Sequence, residues 1–225
     1  MAIVKKYRTE LISVDSSIEG VYTLQFRSLE KPFKYSPGQF LHLAVDTNFD
    51  GSGQWPESRC FSLQSSPNDE CAKISYAVKG DFTTQMEKML KVGSEVWLKL
   101  PYGELFEQEH NKAKSVFIAG GTGVTPFLSL FTDKAFFDYL QPRIYLGFRN
   151  ESFNIYKEEL NNLCNNDVFV DIVYNQVIDI DKIYSENGND SSYFISGPPV
   201  MIKLLKQSLF QKGVSELNIL TDDWE

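Results

Sequence analysis

Three cysteines and two histidines in 225 residues leave few side chains with which to hold a metal. Cys60, Cys71 and Cys164 are odd in number and lie 11 and 93 positions apart, which gives neither a disulfide framework nor the ligand runs of a zinc or iron–sulfur site. His42 and His110 do not supply a His-rich site, so the chain is read as carrying no metal of its own. Positive charge is also short. Lys and Arg number 22 against 30 Asp and Glu, for a net charge of −8 and a pI near 4.9, and this argues against nucleic acid, whose binding rests on phosphate neutralisation. No apolar run approaches the roughly 20 residues of a membrane span. Lys5, Lys6, Arg8 and Glu10 near the start are followed by no apolar signal core. The expectation is a cytoplasmic protein with no membrane partner, its oligomeric state unknown. Internal repeats and low-complexity segments are lacking as well.

What is present is a core: 42% hydrophobic and 14% aromatic residues exclude disorder, and the length suits two domains of about 100 residues each. Up to about residue 110 the chain reads as short antiparallel strands. Segments 20–26, 40–45, 71–78 and 95–100 alternate, and Pro32, Pro37 with Gly38, Gly51, Gly53, Pro67, Gly93, Pro101 and Gly103 supply the turns. That density of turns implies a small barrel. One helix interrupts it, with Thr84 and Glu87 as a capping box and Gly93 beyond its end. After the polar stretch 107–114 the rhythm changes to strands at 115–119, 143–148, 168–174, 193–196 and 217–221, alternating with helices at 125–138, 152–163 and 198–212. Such alternation means a parallel sheet covered on both faces.

The apolar strand ending at Ala119 runs into Gly120, Gly121, Thr122, Gly123, Val124, Thr125 and Pro126. A glycine turn opening a helix builds a phosphate cradle, because the backbone approaches closely and the helix start offers N–H donors. No Lys follows as in a P-loop, which disfavours nucleoside triphosphate hydrolysis. Arg59, Cys60, Phe61 and Ser62 upstream place a cation, a ring and a hydroxyl together, and Ser196, Gly197, Pro198 and Pro199 make a second tight turn downstream. Phosphate-sized and ring-sized sites in this order suggest a flavin followed by a nicotinamide.

Pro37 to Phe40, Arg59 to Ser62, Gly80 with Thr83, Gly120 to Pro126 and Ser196 to Met201, in this order, resemble the ferredoxin–NADP reductase superfamily over nearly the whole chain. The resemblance implies an antiparallel flavin-binding β-barrel over 1–110 followed by a parallel-sheet, nucleotide-binding α/β domain over 111–225. It assigns Arg59 to a flavin phosphate, Phe61 to the isoalloxazine or ribityl chain, and the Ser62 hydroxyl to flavin N5. Phe61 stands where the family has Tyr, which keeps the ring and loses a phenol. Gly80 and Thr83 take the turn whose N–H groups and hydroxyl hold the flavin pyrophosphate, and a pyrophosphate points to FAD over FMN. Gly121, Thr122, Gly123 and Pro126 fall to the nicotinamide nucleotide, with Gly197 and Pro198. Ser196 stands where the family often has Cys beside the nicotinamide, so no thiolate role carries over. Trp224, in the terminal segment from Thr221, takes the place of an aromatic near the flavin.

The activity this implies is NAD(P)H-dependent flavoprotein reduction: hydride passes from NAD(P)H to bound FAD, with Ser62 and Ser196 as the catalytic hydroxyls, and electrons go on to a separate acceptor such as ferredoxin, flavodoxin or another redox partner. Two alternatives stay open, a reductase of diffusible flavin and an electron-transfer or regulatory subunit without turnover of its own. NADPH-selecting members follow the third strand of this domain with Ser and Arg, whereas Tyr174 is followed by Asn175, Gln176 and Val177. Arg149 is the remaining candidate for a 2′-phosphate. Glu151 close by would repel that phosphate and accept a free ribose hydroxyl, so the balance tilts to NADH.

Overall fold

A computed structural model describes residues 3–46, 48–164 and 168–222. Contacts divide the chain into two units, the first ending at Glu104 and the second beginning at Leu105.

The first unit is an antiparallel sheet of β1 (Lys5–Ile18), β2 (Val21–Ser28), β3 (Phe40–Ala44), β4 (Ser58–Ser62), β5 (Cys71–Ala77) and β6 (Glu95–Tyr102), in the order β4-β3-β6-β1-β2-β5. Its two end strands meet just beyond Ser62. The Gln64 N–H donates to the Lys73 carbonyl at 2.8 Å and the Lys73 N–H to Ser65 Oγ at 2.9 Å, so the sheet curls into a nearly closed barrel. Alternation puts Leu41 and Leu43 of β3, Phe61 of β4, Ile74 of β5 and Leu98 and Leu100 of β6 inside. Helix α1 (Asp81–Met89) adds Phe82 and Met86 to the same core. The helix starts earlier than a cap at Thr84 implies: the Thr84 N–H already donates to the Gly80 carbonyl at 2.9 Å, and Gly80 is the N-cap. Thr83 does the capping through its hydroxyl, which leaves Thr84 inside the first turn.

The second unit is a parallel sheet of β7 (Ser115–Gly120), β8 (Arg143–Phe148), β9 (Phe169–Tyr174), β10 (Ser192–Ser196) and β11 (Ile219–Thr221), in the order β11-β10-β7-β8-β9. Four helices cover it: α2 (Thr125–Phe131), α3 (Lys157–Cys164), α4 (Ile180–Asn187) and α5 (Pro199–Gln211). Both faces are buried, as apolar parallel strands require. Phe117, Ala119, Ile144, Leu146 and Phe194 pack with Phe127, Leu128 and Leu160 on one side, and Val116, Ile118, Tyr193 and Ile195 with Ile183, Ile202, Leu205 and Leu209 on the other. The chain builds outward from β7 to β9, then returns to β10 on the opposite side of β7. Strand order therefore reverses between β7 and β10, which opens a crevice at their carboxyl ends.

Local chemistry shifts three elements from their expected bounds. The helix expected over 125–138 breaks after Phe131, because the Asp133 side chain accepts from the Ala135 N–H at 2.8 Å and starts a separate 3-10 turn at Lys134–Asp138. Asn150 similarly caps a 3-10 turn at Glu151–Phe153, so α3 begins only at Lys157. Helix α4 went unread in the sequence although its signals stand there: Asp179 accepts from the Asp181 and Lys182 N–H groups at 3.0 Å, and Gly188 closes the helix at φ 70°. Leu105 is buried in the second unit's core and Phe106 packs against it, which sets the division between units ahead of the polar stretch 107–114.

Candidate functional site

The expected site residues fall into two clusters, one in each unit. In the first, Arg59 and Phe61 share one face of β4, since side chains two apart in a strand point the same way. Phe61 meets Tyr76 of β5 edge-on at 5.9 Å, and Tyr76 stacks on Tyr22 of β2 at 5.4 Å. The sequence reading missed this aromatic row, whose members lie on three strands. Burial pushes the Tyr76 phenol well above its ordinary range, so it is a neutral hydroxyl at any working pH. Ser62 ends β4 and is buried at 8% exposure.

The Arg59 guanidinium lies 5.0 Å from the Phe82 ring in the first turn of α1. A strand cation and a helix N-terminus thus stand together, and both favour an anion. Arg59 is held at present by Glu57 at 2.9 Å, with the two side chains 53% and 72% exposed. An ion pair that open to water is worth little, so Arg59 changes partner at small cost. Thr83 departs from its expected part. Its Oγ accepts from the Lys79 and Gly80 N–H groups at 2.9 and 3.1 Å and donates to the Gly80 carbonyl at 3.0 Å, so its proton is spent on the cap. What this turn offers a phosphate is the backbone N–H groups of Asp81, Phe82 and Thr83, which have no intrahelical acceptor at a helix start.

The second cluster sits at the β7/β10 crevice. Gly121–Val124 form a 3-10 turn between β7 and α2, with Gly121 at φ 56°, a left-handed conformation that suits glycine. A Cβ on Gly123 would stand 2.5 Å from Gly197 Cα and 2.6 Å from Gly197 N, so the two expected turns touch backbone to backbone. Pro126 lies in the first turn of the buried helix α2, and the Thr122 carbonyl accepts from Thr125 Oγ at 2.9 Å. Pro198 is the N-cap of α5, and Met201 closes over Gly120 and Gly197, where an added Cβ would meet its Sδ at 2.8 Å and its Cε at 2.7 Å. Ser196 is 2% exposed and donates to Asp222 Oδ2 at 3.1 Å, while the Asp222 N–H donates to the Ile195 carbonyl at 3.0 Å. The carboxylate of the terminal segment is therefore Ser196's partner, a pairing that a separation of 26 positions hid from the sequence. Trp224 lies outside the described residues.

Arg149 follows β8, its guanidinium 5.2 Å from the Phe153 ring. Glu151 is not open to a ribose in the way expected of it: Lys157 Nζ donates to it at 2.9 Å and holds its carboxyl below the usual range. Among the described residues, no group of three or more His, Cys, Asp or Glu is placed to hold a metal, and no helix is long and apolar enough to cross a membrane.

Residues 117–207 match the family of the oxidoreductase NAD-binding domain. The reductase component DmpP of phenol 2-monooxygenase from Pseudomonas sp. (strain CF600) is 32% identical over 136 residues, 58% of this chain and 35% of that protein. A probable electron transfer subunit of dihydroorotate dehydrogenase B (NAD(+)) from Methanopyrus kandleri is 32% identical over 130 residues, 58% of this chain and 45% of that one. The chain thus spans less than half the length of these two relatives. Among solved structures, the flavohem-like FAD/NAD-binding domain of nitric oxide dioxygenase from Vibrio cholerae aligns over 97% of this chain and 98% of its own, with a TM-score of 0.78 at 17% identity, which is a likeness of fold.

Proposed function

We propose that this chain, which has the two-domain fold of the ferredoxin–NADP reductase superfamily and an oxidoreductase NAD-binding domain in its second half, is an NAD(P)H-dependent flavoprotein reductase that serves a separate electron acceptor. The observation that carries the reading is the contact of the Gly123 and Gly197 turns at the point where strand order reverses. Neither glycine can carry a side chain without parting the turns, and glycine turns at a reversal of strand order leave the bare backbone that a dinucleotide pyrophosphate approaches.

FAD fits the first cluster. Arg59 and the N–H groups at the start of α1 together present a cation and oriented dipoles to a pyrophosphate, and Phe61 presents a ring to the isoalloxazine system or ribityl chain. Ser62 offers its hydroxyl to N5. In the second unit the Gly121–Gly123 turn receives the nicotinamide nucleotide, and Ser196, oriented by Asp222, presents a small hydroxyl beside the nicotinamide. Bound FAD supplies the two-electron acceptor for the nicotinamide hydride, and the residues supply position and fixed dipoles. The acceptor is a separate protein, as the relatives that are reductase components or electron transfer subunits suggest.

Two expected results test the roles. Ser62→Ala should slow flavin reduction by NADH about tenfold in stopped flow with little change in nucleotide affinity, because a bond that strengthens as charge develops acts on rate. Equal rates would remove the hydroxyl from N5. NADH should be preferred over NADPH, since Asn175 and the exposed Gln176 follow β9 where a 2′-phosphate needs a cation. With Glu151 held by Lys157, the preference rests on that missing cation. Gln176→Arg should raise kcat/KM for NADPH about tenfold, the value of one charge-assisted hydrogen bond, and more at low salt. A wild type that already prefers NADPH, increasingly so at low salt, would point to Arg149 as the phosphate ligand.

A further inference from the structure

We propose that Cys60 and His42 form a reactive-thiol site on the outer face of the first unit's barrel, where hydrogen peroxide oxidises Cys60 to a sulfenic acid.

Strand alternation sets Cys60 on the opposite face of β4 from Arg59 and Phe61, and register does the rest. Cys60 pairs across with His42 of β3 and His42 with Lys99 of β6, so the three residues stand in one cross-strand row. Cys60 Sγ lies 3.4 Å from His42 Nε2, and the thiol is half-buried and not in a disulfide. The imidazole is fixed by two further contacts: Nδ1 is 3.3 Å from Ser58 Oγ, which also accepts from Trp55 Nε1 at 2.9 Å, and the ring meets Tyr102 edge-on at 4.7 Å. In the tautomer whose Nδ1–H donates to Ser58, Nε2 accepts the thiol proton. Burial and then Lys99 keep the imidazole neutral, and so able to act as a base. Lys99 is the cation in register beside His42, and the charges of the Arg59–Glu57 pair on β4 offset one another. Nucleophilic thiols sit in such electropositive, partly exposed settings.

Cys71 is the internal contrast. It too is half-buried, but burial, Glu70 and Asp69 push its thiol up against the opposing effect of Arg27.

In the step itself, the Cys60 thiolate attacks one peroxide oxygen, an S–O bond forms and the O–O bond breaks. Sulfur gives up two electrons, and the departing hydroxide takes the proton that His42 had removed from the thiol, leaving Cys–SOH and water. The source of peroxide in the cell rests on the proposed function, since reduced flavin releases it in air; the reactivity of the thiol does not.

The test treats the whole protein at neutral pH with limiting iodoacetamide and follows each cysteine by peptide mass mapping. Cys60 should label about tenfold faster than Cys71, and His42→Asn should remove that advantage while Cys71 keeps its rate. Lys99→Met should slow Cys60 on its own, which keeps the test decisive if the His42 variant folds poorly. Added hydrogen peroxide with dimedone should then place the adduct on Cys60. Labelling of Cys60 no faster than Cys71, both variants leaving the Cys60 rate unchanged, or no adduct would each overturn the proposal. An adduct with added peroxide but none with NADH and FAD in air would support the thiol site and count against the reductase reading.

Discussion

Arg59→Ala is expected to weaken FAD binding by about 1.5 to 3 kcal/mol, or roughly 10- to 150-fold in Kd, the range for a hydrogen bond to a charged group. The guanidinium is half exposed, so solvent screening places the effect toward the lower end. Two features make the effect specific. The Glu57 pair that the substitution also breaks is exposed on both sides and contributes little to stability, so thermal unfolding of the flavin-free protein should hardly move. The start of α1 is intact in the variant, and the N–H groups of its first turn still attract a phosphate; a residual affinity is therefore expected rather than none. Fluorescence titration with FAD reads the change. Unchanged affinity would take Arg59 out of the site.

Gly123→Ala should lower kcat/KM for NADH by about 100-fold, comparable to the cost of misplacing a reacting group by about 1 Å. The atoms that a Cβ would meet, Gly197 Cα and N at 2.5 and 2.6 Å and the Ser196 carbonyl carbon at 2.7 Å, are all backbone, so no side chain can rotate away and the two turns must part. Gly188→Ala, at the end of α4 and outside the nucleotide turn, is the matched control. Its φ of 70° costs an alanine about 1 to 2 kcal/mol, yet nothing lies within 4 Å of the added carbon. The Gly188 variant should lose stability and keep most of its turnover, whereas the Gly123 variant should lose turnover beyond any change in melting. If both lose turnover in proportion to stability, the turn-to-turn contact is not what holds the nucleotide.

The glycine turns, the two strand rhythms and the Arg59–Ser62 run were legible because each depends on local chemistry: glycine where the backbone must turn or approach, alternation where one face is buried. Strand β1 was not, and the reason is physical. Its register against β2 shifts between Leu11 and Ser13 and again between Asp15 and Ile18, which puts alternation out of phase, and the buried Thr9 reads as polar although its hydroxyl donates to the Val96 carbonyl at 2.9 Å. At Thr83 the sequence offered a hydroxyl near a phosphate turn, and only the three local bonds of that hydroxyl reveal that the helix cap has claimed it. Partners set by tertiary register are harder still. The Cys60–His42–Lys99 row joins residues 18 and 57 positions apart, and nothing local to any of the three marks the others.

Anaerobic titration of the FAD-loaded protein with NADH, followed in the visible flavin band, reads hydride transfer itself. Bleaching is expected, complete near one equivalent because the hydride carries both electrons, with recovery of colour when an electron acceptor is added. A protein that binds FAD and NADH yet keeps its colour unchanged would contradict the reductase reading and leave a nucleotide-binding module without hydride transfer.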